Sequence, residues 1–333
     1  MINCDIKETF KSFENQNILI IGDVMIDSYL WGEVDRISPE APVPIVAVNK
    51  RENRMGGAAN VALNIQAMGA KPILFSVIGF DQKGDEFLHL LHDAQMTTKG
   101  ILRSNNRRTT TKFRVLGNKV QMLRVDEEDI HPLNISDCNR FIDNCISYIN
   151  AEKIDAVIFQ DYDKGVINKE IIGEITSLCN KKNIPVIVDP KKNNFLDYKD
   201  VTLFKPNLKE LREGLNIEIQ ANQIDTIKRA SDKLQAILNN KITLVTLSEF
   251  GVFVQKNDPV TQSTEHIPAH QRSISDVSGA GDTVISVAAL CLAAGLSPID
   301  MAAISNLSGG LVCEEAGVVP VNKERLLNEV LKL

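Results

Sequence analysis

The chain has 333 residues, of which 44% are hydrophobic and 24% charged, with a net charge of −6. This fits a globular protein with a large core in one or two domains, and the acidic balance argues against nucleic acid as a partner, since a basic face is then expected. The N-terminus has no apolar signal region. The longest uncharged run, Thr283 to Ile299, is broken by Gly295 and Pro298 and falls short of the ~20 residues of a membrane span, so no membrane partner is expected and a cytoplasmic setting is.

Taken in chain order, the apolar runs predict strands alternating with helices. A buried strand is expected over 17–23 and a helix over 56–70, where Val61, Ile65 and Met68 recur at helical spacing. A strand over 71–79 and a helix over 85–94 follow. The pattern resumes with a strand over 155–161, a helix over 168–183, strands over 184–190 and 201–207, and a helix over 207–214. A polar helix over about 221–239 leads to a strand over 242–248, and the chain reads as helical from 279 onward. Such alternation implies an α/β fold with a mostly parallel central sheet covered by helices. Two segments break the pattern: 33–50, proline-rich with an alternating strand at its end, and 109–126, a hairpin turning at LGNK. Together they are read as a small β-sheet lid on a single domain spanning 1–333.

Cys4, Cys138, Cys145, Cys179, Cys291 and Cys313 form no CxxC pair and are read as small core hydrophobes under reducing conditions. His89 and His92 share a helical face, but with no third ligand they read as solvent-facing; His266 and His270 read as loop positions.

The chemistry concentrates in SDVSGAGDTV, residues 275–284. Gly279, Ala280 and Gly281 lie where a loop enters a helix, whose first amides have no intrahelical acceptor and attract anions. Asp282 follows in the first turn, where it either accepts a proton from an attacking hydroxyl or serves as a favourable first-turn acid behind a Ser278 N-cap. No GxxxxGK[ST] motif is present, so a P-loop is not the phosphate site. Asp23 and Asp27 follow the first strand, where open α/β sheets bind ligands, and either could instead be a turn or cap residue. In MGGAAN, Gly56 and Gly57 free the backbone and Asn60 offers both donor and acceptor.

Taken together, GGxxxN (Gly56, Gly57, Asn60) and DxxGAGD (Asp276, Gly279, Ala280, Gly281, Asp282) resemble the signatures of the ribokinase-like, phosphofructokinase-B carbohydrate kinases over residues 17–320. The resemblance implies a ribokinase-like three-layer α/β/α fold and an ATP-dependent kinase. Asp282 would be the catalytic base, with the amides of Gly279, Ala280, Gly281 and Asp282 as the anion hole. Asp27, Gly56, Gly57 and Asn60 would bind the sugar. NLKE matches the family's NxxE, so Asn207 and Glu210 would organise Mg²⁺ and the nucleotide phosphates, mainly through water; the same residues also fit a plain helix cap. TLSEFG supplies Thr246, Ser248 and Gly251 to the nucleotide site, with Ser248 standing where the family has glycine. DPKK adds Asp189 and Lys191, and Lys192 replaces another family glycine.

Residues 22–46, DYDKG (161–165) and DPKK resemble, more narrowly, the branch of the family that phosphorylates D-glycero-D-manno-heptose 7-phosphate at C1. That resemblance implies a role in the synthesis of ADP-heptose for lipopolysaccharide, here as a stand-alone kinase. A phosphorylated sugar needs cations, and Arg36, Arg54, Lys112, Arg114 and Arg124 in or beside the lid are the candidates. A homodimer through lid strands is expected, since exposed edges invite pairing. Whether a monovalent cation sits near the signature loop is open, as is the role of Asp276.

Overall fold

The structure, a computed structural model, describes residues 5–257, 262–315 and 317–333; Cys4 lies outside them. In chain order its first half comprises α1 (Ile6–Ser12), β1 (Asn17–Gly22), β2 (Val24–Ile37), β3 (Pro44–Gly57), α2 (Ala58–Ala67), β4 (Lys71–Gly79), α3 (Gln82–Asp93), β5 (Ile101–Ser104), β6 (Thr111–Gly117), β7 (Val120–Glu127) and α4 (Ile135–Ala151). The second half comprises β8 (Ala156–Gln160), α5 (Lys169–Lys181), β9 (Val186–Asp189), β10 (Leu203–Phe204), α6 (Leu208–Leu215), α7 (Ile224–Leu238), β11 (Ile242–Thr246), β12 (Val252–Lys256), β13 (Ser263–Ile267), α8 (Ala280–Ala293), α9 (Pro298–Val312) and α10 (Lys323–Val330).

Strands β13-β12-β11-β10-β9-β8-β1-β4-β5 form one sheet, parallel except for β12 and β13. Both faces are covered, which is why its strands read as unbroken apolar runs. In β1, Ile18 and Ile20 point into one core with Val61 of α2, Ile285 of α8 and Ile304 of α9. Leu19 and Ile21 point into the other with Phe141 of α4, Ile171 of α5 and Leu234 of α7. The result is three layers, α/β/α. Each fully buried aliphatic side chain adds about 1.5–3 kcal/mol. The five described cysteines are buried and form no disulfide among the described residues, as core hydrophobes should. Among the described residues, no helix is long and apolar enough to cross a membrane.

A second sheet, β3-β2-β6-β7, stands off the first. It is larger than the expected lid. Its first segment runs over Val24–Ile37 and Pro44–Gly57 rather than 33–50, and its second over 111–127. The difference follows from patterning: one face of β2 and β3 carries charged and aromatic side chains, so the period-2 signal of a half-buried strand is hidden. The helix expected from 56 accordingly starts at Ala58, because Gly56 and Gly57 still belong to β3. The hairpin turn falls at Asn118 and Lys119 (φ 52° and 68°), the two positive values of a type I′ turn. The sequence signals missed α1, α4, β5, the antiparallel pair β12–β13 and the brevity of β10.

Candidate active site

The candidate residues gather at the carboxyl ends of the parallel strands. Gln160 ends β8, Asp189 ends β9 and Lys205 follows β10; these strands are neighbours, so the three side chains emerge side by side. Asp282 meets them from the first turn of α8.

Asp282 is 5% exposed. Its Oδ2 accepts a hydrogen bond from Asn60 Nδ2 at 2.7 Å. Its Oδ1 accepts two, from the Tyr162 hydroxyl at 2.7 Å and Gln160 Nε2 at 3.1 Å. Burial pushes its pKa up to about 6, against the opposing hydrogen bonds from Asn60 and Tyr162. Gln160 Nε2 also lies 3.3 Å from Asp189 Oδ2, which pairs with Lys205 Nζ at 3.1 Å. That ion pair is buried, so each charge depends on the other.

The entry to α8 differs from a Ser278 N-cap. Asp276 Oδ1 accepts the Ser278 amide at 2.9 Å, and its Oδ2 accepts the Gly317 amide at 3.2 Å. Asp276 therefore braces the loop. The turn makes Gly279 the N-cap, at φ 81°, with no side-chain cap. The Ala280 amide turns back to Val277 O at 3.3 Å, while those of Gly281 and Asp282 meet no acceptor among the described residues. A Cβ on Gly281 would lie 3.8 Å from Lys205 Nζ and 3.9 Å from Asp189 Oδ2, so this turn stands beside the buried ion pair. The combination suits an anion.

The other aspartate pair divides its work. Asp23 accepts the amides of Tyr162, Lys164 and Val166 at 2.9–3.1 Å, fixing the loop that carries Tyr162. Asp27 Oδ1 accepts from Arg114 at 2.5 Å. Arg114 and Arg54 lie 5.3 and 5.1 Å from the centre of the Tyr29 ring, so one aromatic carries two guanidiniums beside a carboxylate. Gly56 is required here: a Cβ would lie 2.4 Å from Asp27 Oδ2. Lys112 is half-buried on the strand face that carries Arg114, and its pKa is lowered by burial and then by Lys164. Arg124 stands opposite Arg114 in the β6–β7 ladder, with its guanidinium turned to Asp126 at 2.9 Å. One candidate is not brought here. Arg36, exposed near the far end of β2, is nine residues from Asp27, roughly 30 Å at the strand rise.

At the other end, Asn207 and Glu210 form a reciprocal capping box on α6, both bonds 2.8 Å. Glu210 Oε1 also pairs with Lys191, whose ammonium lies 5.5 Å from the centre of the Tyr162 ring. Burial lowers the Lys191 pKa, but Asp189 and Glu210 outweigh it and hold the group charged. A bridge between Asn207 and Thr246 joins this cap to the β11–β12 turn. There Ser248 adopts φ 54°, the left-handed geometry its family glycine would take freely, at a cost of roughly 1–2 kcal/mol. Gly251 follows at φ 86°. No three His, Cys, Asp or Glu side chains among the described residues converge on a metal position. With both Glu210 oxygens already accepting, a divalent cation fits through water, as magnesium commonly binds.

Sequence reading missed Gln160, Tyr162 and Lys205. Their signal was available: DYD at a strand end, and a lysine two residues before NLKE. His89 and His92 are exposed, as expected, and His266 lies in β13 with a ring nitrogen 2.7 Å from Phe250 O.

Residues 15–325 match the family model described as pfkB family carbohydrate kinase. Among curated proteins, the bifunctional protein HldE of Desulfatibacillum aliphaticivorans is 39% identical over 319 residues, and that of Sulfurimonas denitrificans 38% over 312. Each alignment covers 94% of this chain and 63% of the relative, so the chain spans less than two thirds of those proteins. Among solved structures, phosphofructokinase-2 from Escherichia coli in complex with fructose-6-phosphate superposes at a TM-score of 0.75, with 18% identity, covering 95% of this chain and 99% of that one. Arabidopsis thaliana ribokinase with ribose and ATP gives 0.70, also at 18% identity, covering 96% and 99%. Both share the three-layer fold.

Proposed function

Because the chain belongs to the pfkB family of carbohydrate kinases, we propose that it transfers the γ-phosphoryl group of ATP to the C1 hydroxyl of D-glycero-D-manno-heptose 7-phosphate, giving the 1,7-bisphosphate for ADP-heptose and lipopolysaccharide precursor synthesis. The observation that carries the acceptor is the lid root. Asp27 can take hydrogen bonds from sugar hydroxyls, while Arg54 and Arg114, on the same Tyr29 ring, suit a phosphate on that sugar. The stretches over 22–46, 161–165 and 189–192 resemble the heptose 7-phosphate branch and support the same acceptor. The curated relatives are bifunctional, and the matched 63% supports one of their two activities here.

In this reading the sugar binds between Asp27, Asn60 and the Gly56–Gly57 backbone. Asp282 takes the hydroxyl proton late, since phosphoryl transfer passes through a loose transition state. The free amides of Gly281 and Asp282, with Lys205 beside them, offset charge on the transferring group. Thr246, Ser248, Gly251, Asp189 and Lys191 line the nucleotide side, and Lys112 adds charge at the lid. Bound magnesium supplies charge neutralisation, and Asn207 and Glu210 would hold it through water.

We treat residues 1–333 as one kinase unit working in the cytoplasm as a homodimer. The lid supports the dimer: its outward residues include Val120, Leu123 and Val125, 62%, 56% and 45% exposed, an apolar area that a monomer rarely leaves bare.

The test is ADP release with ATP–Mg²⁺ and heptose 7-phosphate, against fructose 6-phosphate, fructose 1-phosphate, ribose and a nucleoside. We expect kcat/KM at least about tenfold higher for the heptose, a discrimination of ~1.4 kcal/mol. Equal or faster turnover of fructose 6-phosphate overturns the acceptor. ATP and sugar binding with no ADP formed overturns the kinase in favour of a sensing protein.

A further inference from the structure

Three donors hold Asp282, and they are shared unequally between its oxygens. Oδ1 accepts from the Tyr162 hydroxyl and from Gln160 Nε2; Oδ2 accepts only from Asn60 Nδ2. A carboxylate oxygen has two in-plane lone pairs. Oδ1 is therefore filled, and Oδ2 keeps one lone pair for a proton. From this we infer that Tyr162 and Gln160 are positioning residues for the phosphoryl transfer: they pin Oδ1 so that Oδ2 is the atom that receives the acceptor's proton. The inference rests on the reading of Asp282 as the base.

Both residues are themselves fixed. The Tyr162 backbone is tied to Asp23, and its ring lies under the Lys191 ammonium at 5.5 Å. Gln160 is fully buried at the end of β8, and its amide is oriented by two carboxylates, Asp282 and Asp189. Satisfying them leaves Gln160 Oε1 buried without a partner among the described residues. An interior amide ordinarily satisfies its oxygen. Here the oxygen is left unpaired so that the nitrogen can face both carboxylates, and such local cost collects at functional sites.

The charged and titratable groups facing Asp282 come from every packed element: Tyr162 after β8, Asp189 at the end of β9, Lys191 after it and Lys205 after β10. From α2 comes only the neutral Asn60. Tyr162 is the one neutral donor among the titratable neighbours, because burial, then Asp282 and Asp189, hold its hydroxyl protonated. Removing a donor to the ionised form raises a carboxyl pKa.

The test uses the full chain with Tyr162→Phe, and Gln160→Met as a second variant. The Asp282 carboxyl is titrated directly by ¹³C-carboxyl NMR, its signal assigned by its absence in Asp282→Asn. The acid limb of kcat/KM is measured in parallel with ATP–Mg²⁺ and heptose 7-phosphate. We expect the NMR midpoint and the acid limb to rise together by about one pH unit. Relative to the unmodified enzyme, activity then falls roughly fivefold further at pH 6 than at pH 8.5. A midpoint that stays put in both variants, with the fold intact, overturns the positioning role. A midpoint that rises while the limb does not move overturns instead the reading of Asp282 as the base, and with it the proton route through Oδ2. Loss of stability alone, with the limb in place, would mark the two residues as merely structural.

Discussion

Asn60 and Asp282, 222 positions apart in sequence, meet at 2.7 Å. The contact joins the helix after the lid to the helix that begins at the signature loop. It makes the two signature segments, around Asn60 and Asp282, one hydrogen-bonded unit.

Asp282→Asn should abolish transfer while leaving nucleotide binding in place. Losing a general base costs about 10²–10⁴ in rate, whereas Thr246, Gly251 and Lys191 are untouched. ADP release and calorimetric ATP binding measure the two halves. Turnover near the unmodified rate would remove Asp282 from the base role.

The same variant should be more stable than the unmodified chain at alkaline pH. The folded-state pKa of Asp282 is raised from 3.8 to about 6, so between those values the folded state holds more protons than the unfolded one. Stability then falls as pH rises through that window. Asparagine does not ionise, and Asn60 Oδ1, buried without a partner, can turn to accept from it. We expect a gain of about 1–3 kcal/mol at pH 8 that vanishes near pH 4, read by urea unfolding at both. A gain independent of pH would mean that the buried charge is not its source.

Gly56→Ala and Gly57→Ala should fail differently. A Cβ at Gly56 displaces the Asp27 carboxylate, so KM for the sugar should rise by about tenfold or more, with kcat changed less. A Cβ at Gly57 lies 2.4 Å from Asp23 O at a φ of 63°, so that variant should lose roughly 2 kcal/mol or more of stability. Steady-state kinetics and thermal unfolding separate them.

Lys205→Met leaves Asp189 buried and unpaired, and should cost about 3–5 kcal/mol. Adding Asp189→Asn should restore part of that loss, whereas additive destabilisation in the double variant would show that the pair is not coupled.

Leu123→Glu with Val125→Glu places charge on the apolar side of the lid and should halve the mass seen by light scattering. A monomer mass for the unmodified chain would dispose of the dimer outright.

The layers were legible because buried parallel strands are continuous apolar runs, as in ILII of β1, and because Gly, Asn and Pro punctuate the helices that follow. The lid was legible only in part. Tyr29, Trp31 and Arg54 do not read as strand in sequence because their strand face carries aromatic and charged side chains rather than core residues, whereas Arg114 falls in the expected hairpin. The signature residues Asn60 and Asp282 could be picked out because small residues flank them. Gln160 and Lys205 were missed although DYD and NLKE stood beside them, since a polar residue at a strand end shows its worth only beside the strands that neighbour it. Ser278 misled for a similar reason: Asp276 holds it, and Gly279 takes the N-cap position of α8.

The lid has a very short fulcrum. One residue, Asp23, separates β1 from β2, and β3 passes into α2 at Gly57 without a connecting loop. The lid's other two connections, from β5 to β6 and from β7 to α4, are longer loops. Asp23 also anchors the loop bearing Tyr162, and Gly57 stands three residues before Asn60. Two of the three donors to Asp282, Tyr162 and Asn60, are thus tied to the two short junctions where β2 and β3 leave the core.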